Sequence, residues 1–200
     1  MTGTFASKSA LSEAITLINT GQIDKAVEIC RSAIARNPDD INMVALLGAT
    51  LLKIRKVPEA EKYLRKAIRL APTFAKPHED LGHLLLEKGE AGEAARVLKK
   101  ATRLDPELDK AFFNLGKALA MLGMGSKADE AFEKSFELNP ERKKLALAAE
   151  HQNAGRLAEA EQAYKEVLRD NPTNVDAIRL LGTVALQNER IYEAERLFRR

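Results

Sequence analysis

Apolar residues return along this chain at spacings of three and four. Between residues 44 and 54 they fall at Val44, Leu47, Leu51 and Ile54, the stripe of a helix with one buried face. After a short break, Ala60, Leu64, Ala67 and Ile68 mark a second helix, with Glu61, Lys62, Arg65 and Lys66 on its wet side. The two-helix unit then repeats. Prolines stand at Pro38, Pro72, Pro106 and Pro140, each 34 residues after the last, and at Pro172 after a further 32. A Leu-Gly pair recurs at Leu47-Gly48, Leu81-Gly82, Leu115-Gly116 and Leu181-Gly182, and an alanine at Ala26, Ala60, Ala94, Ala128, Ala160 and Ala194. Three independent markers in one period and one phase predict a repeat array.

Each unit carries its own punctuation. Gly21, Gly89, Gly123 and Gly155 fall between the two helices, where a residue of left-handed conformation ends the first. Pro58 and Pro77 fall in first helical turns, where a proline costs little. The prolines that close each period are expected to stop the second helix and set the link to the next pair. Small residues at 48, 82, 116 and 182, facing alanines at 60, 94, 128 and 194, predict close approach of the paired helices, since a larger side chain would push the axes apart.

Composition changes this picture little. The chain has 200 residues, 45% apolar and 30% charged, with 5% aromatic and no tryptophan. That suits a folded, helix-rich protein whose core is built from Leu, Ala and Ile. Thirty-two basic and 29 acidic side chains leave a net charge of +3, mixed along the chain without the segregated basic block expected of a nucleic-acid binder. Cys30 is the lone cysteine, so a reducing compartment is the default. Met1 to Ala10 lacks a signal-peptide core, and no run approaches the roughly 18 apolar residues that span a bilayer. The expected location is the cytoplasm, with neither nucleic acid nor membrane as partner.

The order of markers, Leu-Gly, Gly, Ala, an aromatic or Leu, Ala and Pro, resembles the tetratricopeptide repeat. The second-helix aromatic position holds Tyr164, Phe132 and Phe198, and Cys30, Leu64 and Leu98 elsewhere. The resemblance covers residues 7–200 and implies an all-α fold, a right-handed α-solenoid of helix-turn-helix repeats. Residues 1–6 form a leader, and the repeats run over 7–40, 41–74, 75–108, 109–140, 141–174 and an incomplete 175–200. Two departures stand out. The fourth position, aromatic in the family, holds Ala10, Val44, His78, Phe112, Lys144 and Ile178; the fifth repeat has Ala148 for glycine and has lost two linker residues after Pro140. A local change of superhelical pitch is expected there.

Catalytic constellations are missing from the sequence: no phosphate loop between strand and helix, no Gly-x-Ser-x-Gly elbow, no His-Glu-x-x-His. Gly123-Met124-Gly125 reads as an inter-helix turn. Glu79, His83 and Glu87 stand four apart on one helical face, a set that could hold a transition metal. Without a second histidine nearby it reads instead as a solvated polar face. His78 is expected to pack between helices, His151 to be a partly buried filler, and Cys30 to be a core residue. No cofactor and no metal are expected.

Comparing the repeats with one another locates the candidate site. Ile18, Leu52, Leu86 and Leu186 hold one apolar first-helix place, as packing demands. Other places change freely: Leu11, Ala45, Glu79, Phe113, Leu145 and Arg179; Ile15, Ala49, His83, Lys117, Ala149 and Thr183; Asn19, Lys53, Glu87, Met121, Asn153 and Gln187. Stacking does not need such side chains, and the resemblance implies that they line a concave groove that binds peptides or partner helices. The expected partner-binding set is Glu79, His83, Glu87, Lys110, Phe113, Asn114, Lys117, Met121 and Arg142, with Phe113 and Met121 as exposed apolar anchors. The clamp that captures chaperone C-termini in some relatives cannot form, because its places hold Leu11, Ile15, Leu46, Lys76 and Asp80. A ladder of groove asparagines, as in some repeat-bearing glycosyltransferases, is represented by Asn114 alone.

The function expected on these grounds is non-catalytic: a scaffold binding a peptide, helix or protein surface. Two alternatives stay open, the front repeat region of a larger enzyme such as a sulfotransferase or glycosyltransferase, and a module that assembles with itself. The sixth repeat stops inside its second helix, at Leu197-Phe198-Arg199-Arg200. This predicts further residues beyond, with Ile178, Leu181, Leu197 and Phe198 otherwise uncovered and available for homo-oligomerisation.

Overall fold

Apolar stripes of this period fold into helices that bury one face each, and the computed structural model shows twelve of them among the described residues. It describes residues 2–200, with side chains from Ser9 onward, and among the described residues there is no strand. The helices are α1 (Thr2–Asn19), α2 (Ile23–Arg36), α3 (Ile41–Lys53), α4 (Val57–Leu70), α5 (Ala75–Glu87), α6 (Ala91–Leu104), α7 (Asp109–Met121), α8 (Gly125–Leu138), α9 (Pro140–Asn153), α10 (Leu157–Asp170), α11 (Val175–Gln187) and α12 (Ile191–Phe198). Residues 2–6 of the segment set apart as a leader continue into α1, and Met1 lies outside the described residues. The architecture is an all-α helical repeat solenoid. It divides into two compact units, one ending at Lys134 and one starting at Ser135. The core of the first unit holds Cys30, Met43, Leu47, Leu51, Leu64, Leu84, Leu85 and Leu98. That of the second holds Ala148, Tyr164, Ile178, Leu181, Val184 and Leu197.

Within a pair, the glycine is a socket. A Cβ added at Gly82 would stand 2.3 Å from Leu98 Cγ, one at Gly116 2.6 Å from the Phe132 ring, and one at Gly182 2.5 Å from Phe198. Gly48 meets Leu64 at 3.0 Å. The second helix therefore presses a large side chain against bare backbone of the first, and this contact sets the spacing of the pair.

The turn inside each pair is equally uniform. Six N–H groups reach back five residues: Gln22 to Leu17, Lys56 to Leu51, Glu90 to Leu85, Met124 to Leu119, Arg156 to His151 and Arg190 to Ala185, at 2.8–2.9 Å. This is the capping pattern that requires a left-handed residue just past the helix. Gly21, Gly89, Gly123 and Gly155 supply it with φ between 71° and 78°, as the sequence predicts; the other two turns use Arg55 (φ 61°) and Glu189 (φ 59°).

Pro140 departs from expectation. Pro38, Pro72, Pro106 and Pro172 sit in the turns between pairs, whereas Pro140 opens α9. With two linker residues lost, a single residue, Asn139, separates α8 from α9, and its side-chain Oδ1 accepts from Arg142 N at 3.2 Å as a cap. Proline suits that first helical position because its missing N–H would be unpaired anyway. A second correction concerns the sixth repeat. Ile178, Leu181 and Leu197 are buried, because α11 and α12 pack on each other and α11 on α10. Phe198 is 51% exposed, with one ring edge over Gly182.

Neighbouring repeats of the first unit are stitched by charge. Arg31 pairs with Glu59 at 2.6 Å and, one period on, Arg65 pairs with Glu93 at 2.9 Å. The next residue along, Lys66, donates to the carbonyl of Pro38 in the preceding turn at 2.5 Å. Arg65 also pairs with Glu61 at 2.9 Å, and Lys88 with Glu61 at 3.0 Å. Hydrogen bonding by Arg65 holds the Glu93 carboxyl below its ordinary value, against the opposing effect of burial.

Two outcomes follow from this geometry. Gly82→Ala costs about 2 kcal/mol by overpacking. In a Leu98→Ala background the same change is neutral or stabilising, because the socket is empty and alanine favours helix; urea unfolding of the four proteins measures the reversal. Glu189→Gly relieves the left-handed conformation and stabilises by about 0.5–1 kcal/mol after the entropy of the added glycine is subtracted. Thermal unfolding beside Gly155→Ala, which shifts the other way, checks the sign.

Candidate partner-binding groove

The freely varying first-helix places of the third and fourth repeats lie on α5 and α7, which pack side by side in the first unit. Four of the expected residues gather around one cavity of about 480 Å³: His83 and Glu87 from α5, Lys117 and Met121 from α7. Its wall is completed by Leu86, Ala120 and Phe132. Met121 is 55% exposed and is the apolar group most open to a partner here.

The polar rim is organised. His83 Nε2 stands 3.8 Å from Glu87 Oε1, and Glu87 also accepts from Arg55, the left-handed residue that ends α3. The preceding repeat's turn thereby holds the carboxylate at the mouth of the cavity. Across from it, Lys117 Nζ lies 4.8 Å from the centre of the Phe113 ring, a favourable contact between ammonium and ring face.

Phe113 is not the open anchor that its place in the sequence suggests. Its ring is half-buried and meets Phe132 edge-on, with centroids 5.5 Å apart and planes at 61°. Phe132 is the side chain that fills the Gly116 socket, so Phe113 braces the α7–α8 contact and leaves Met121 as the large apolar side chain exposed at the cavity. Glu79 and Asn114 also differ from expectation. They are 3% and 7% exposed, and Asn114 Nδ2 donates to Glu79 Oε1 at 3.3 Å between α5 and α7. Lys76 pairs with Glu79 as well, and with Asp80 at 2.6 Å. A buried carboxylate with two partners, one of them on the neighbouring helix, is a helix-to-helix link rather than groove surface. Burial pushes the neighbouring Asp80 carboxyl up, with Lys76 pulling the other way.

Lys110 is exposed in the first turn of α7 but does not line the cavity. Arg142 belongs to the second unit, in the first turn of α9, where its backbone N–H meets the Asn139 cap. The structure does not bring Glu79, His83 and Glu87 together as ligands. Glu79 turns into the α5–α7 contact, and among the described residues no three acidic, histidine or cysteine side chains are grouped to hold a metal ion. His78 packs between helices as expected, Nε2 donating to the Pro72 carbonyl at 3.0 Å, and burial lowers its pKa with help from Lys100. His151 is half-buried, its Nδ1 accepting from Arg156 at 3.0 Å. Cys30 is fully buried, and burial, with Asp40, pushes its thiol up to about 11, so it stays protonated and inert.

Three wall residues were not readable as site residues. Leu86 and Phe132 carry the signature of packing, and Ala120 carries none. A signal for Phe132 exists in the repeat comparison: Leu64 and Leu98 hold its place in the two preceding repeats, and a phenyl ring reaches beyond a leucine.

Comparison with known proteins agrees with this architecture. A tetratricopeptide repeat model matches residues 17–81 and 153–200, a second tetratricopeptide repeat model matches 109–142, and a TPR repeat model matches 82–123. No curated protein matches the chain. Among solved structures, a thermophilic TPR protein of Thermus thermophilus is 24% identical with a TM-score of 0.73, over 90% of this chain and 98% of that one. PilF of Pseudomonas aeruginosa is 22% identical with a TM-score of 0.69, over 98% and 90%. YrrB, described as a TPR protein with an unusual peptide-binding site, is 23% identical with a TM-score of 0.56, over 86% and 89%. The matched segments, the sockets at Gly48, Gly82, Gly116 and Gly182 and the uniform turns lead to one conclusion: this chain belongs to the tetratricopeptide repeat family.

Proposed function

We propose that this chain binds a segment of another protein at the α5–α7 cavity. Proteins of this family in general mediate protein–protein interaction, and YrrB, which shares the fold, is described by its peptide-binding site. The observation that carries the reading is the cavity of about 480 Å³ with exposed Met121 at its edge and His83, Glu87 and Lys117 on its rim. A flexible thioether adapts to irregular partners, and such exposed apolar groups dominate binding energy once covered. The partner places an apolar side chain against Met121, Ala120 and Phe132, and polar groups against His83 and Lys117. Binding is an equilibrium event without chemistry. Among the described residues no helix is long and apolar enough to cross a membrane; the lone cysteine, buried and protonated, fits the cytoplasm, our assignment for its location.

The test is capture of a partner from the source organism's extract, followed by affinity measurement with single variants. Met121→Ala weakens binding by about 2 kcal/mol, and Ala120→Glu, which sets a carboxylate in the mouth, abolishes it. Both leave the unfolding transition unchanged, since these side chains are exposed. Phe113→Ala differs in kind, lowering stability as well, because its ring braces Phe132. Undiminished affinity in Ala120→Glu overturns the reading.

A further inference from the structure

A second cavity, of about 540 Å³, shares no wall residue with the first. It lies over α4 and α6, the second helices of neighbouring repeats, with Ile68, Leu81 and Val97 as its apolar floor. Around these stand Arg65, Arg69, Arg96, Lys99, Lys100 and Arg103, against a single carboxylate, Glu93. Glu93 is already shared by Arg65 at 2.9 Å and Arg96 at 3.2 Å.

Comparison between repeats shows why this is more than a wet helix face. Arg31 and Arg65 each pair with a glutamate of the next repeat, Glu59 and Glu93. One period on, Lys99 takes the place of Arg65, and the matching partner position holds Lys127. Lys66 donates to the Pro38 carbonyl, as Arg200 does to Pro172. The matching lysine is Lys100, and its carbonyl, Pro72, is engaged by the His78 ring. Both pairings that occupy the equivalent cations elsewhere are thus absent at one place. Among the described residues, the side chains of Lys99, Lys100, Arg69 and Arg103 make no hydrogen bond or ion pair. Arg69 and Arg103 complement the C-terminal ends of their helices, as Arg36 and Arg169 do in other repeats, so they alone carry no argument. Lys99 and Lys100 have no such structural duty.

We propose that this cavity binds an acidic peptide segment of a partner protein, carboxylates on Lys99, Lys100 and the two arginines, and an aliphatic side chain on Ile68, Leu81 and Val97. A peptide fits better than a nucleic acid, because no Phe, Tyr or Trp ring lines the cavity for a base to stack on, and the one imidazole, His78, is buried and held by the Pro72 carbonyl. It fits better than free phosphate, because the apolar floor of Ile68, Leu81 and Val97 would then go unused. The site is separate from the α5–α7 cavity, so one molecule can hold two segments at once.

The probe is a fluorescein-labelled peptide, Glu-Asp-Leu-Glu-Asp-Glu, titrated with the full chain at low salt and followed by anisotropy. Saturable binding is expected, and the counterpart with Gln and Asn in place of the acids does not bind. Lys99→Glu with Lys100→Glu weakens binding at least about tenfold, the size of two lost ion pairs. Lys25→Glu with Lys56→Glu, an equal change of net charge at exposed lysines outside the cavity, leaves affinity within about twofold. Ala120→Glu in the other cavity leaves it unchanged, which separates failure here from failure of the groove reading. The proposal is overturned by equal loss in both lysine pairs, by equal binding of the amide peptide, or by no saturable binding. Displacement of the probe by inorganic tripolyphosphate or a short single-stranded oligonucleotide at lower concentration than by unlabelled peptide also overturns it, assigning the site to phosphate.

Discussion

Two helices can pack this closely only where one of them has no side chain. Gly82 and Gly116 leave 2.3 and 2.6 Å between an imagined Cβ and the Leu98 or Phe132 that fills the space, less than any pair of carbon atoms tolerates. The contact recurs at Gly182, more loosely at Gly48, and fixes how far apart the helices of those four pairs stand. Once that spacing is set, the left-handed turn must close over a fixed gap. It does so through the five-residue hydrogen bond and the positive φ at Gly89 and Gly123, and the first and fifth pairs, with Ala14 and Ala148 at the socket place, use the same turn at Gly21 and Gly155. Arg55 and Glu189 show the turn being imposed on residues that do not favour it, evidence that pairing outweighs local preference.

The same socket reaches into the candidate site. Where Leu64 and Leu98 fill it, the side chain ends at the pair; where Phe132 fills it, the ring also meets Phe113 and forms part of the wall beside Met121 and Lys117. A residue whose duty is packing so becomes a surface that a partner can touch. The cations follow a related rule. Arg31, Arg65 and Lys66 are consumed in holding repeats together, and attention falls on Lys99 and Lys100 because the repeat denies them those duties.

The sequence carried the periodic part of this structure in full view, since proline, glycine and alanine markers each answer a backbone or packing demand that favours those residues. What it hid depends on side-chain direction. Glu79 occupies a freely varying place and Asn114 an expected groove position, yet both turn inward to bond each other, a pairing across 35 residues that periodicity cannot register. Phe113 varies as a surface residue does, but a ring beside it offers better contact than water. Pro140 looks like the other period-closing prolines and instead starts a helix, because the deletion that follows it leaves no turn for it to occupy.

The central claim is that the pairing contact builds the binding surface. It is tested most directly by the partner affinity of Gly116→Ala, measured on protein shown to be folded. Residue 116 is buried and reaches no ligand, but its new methyl group forces the Phe132 ring away from the cavity wall. The account predicts affinity lowered by about tenfold or more, beyond any loss seen in Gly48→Ala, whose Leu64 lies outside the cavity. Unchanged affinity in Gly116→Ala, with only its stability reduced, would contradict it.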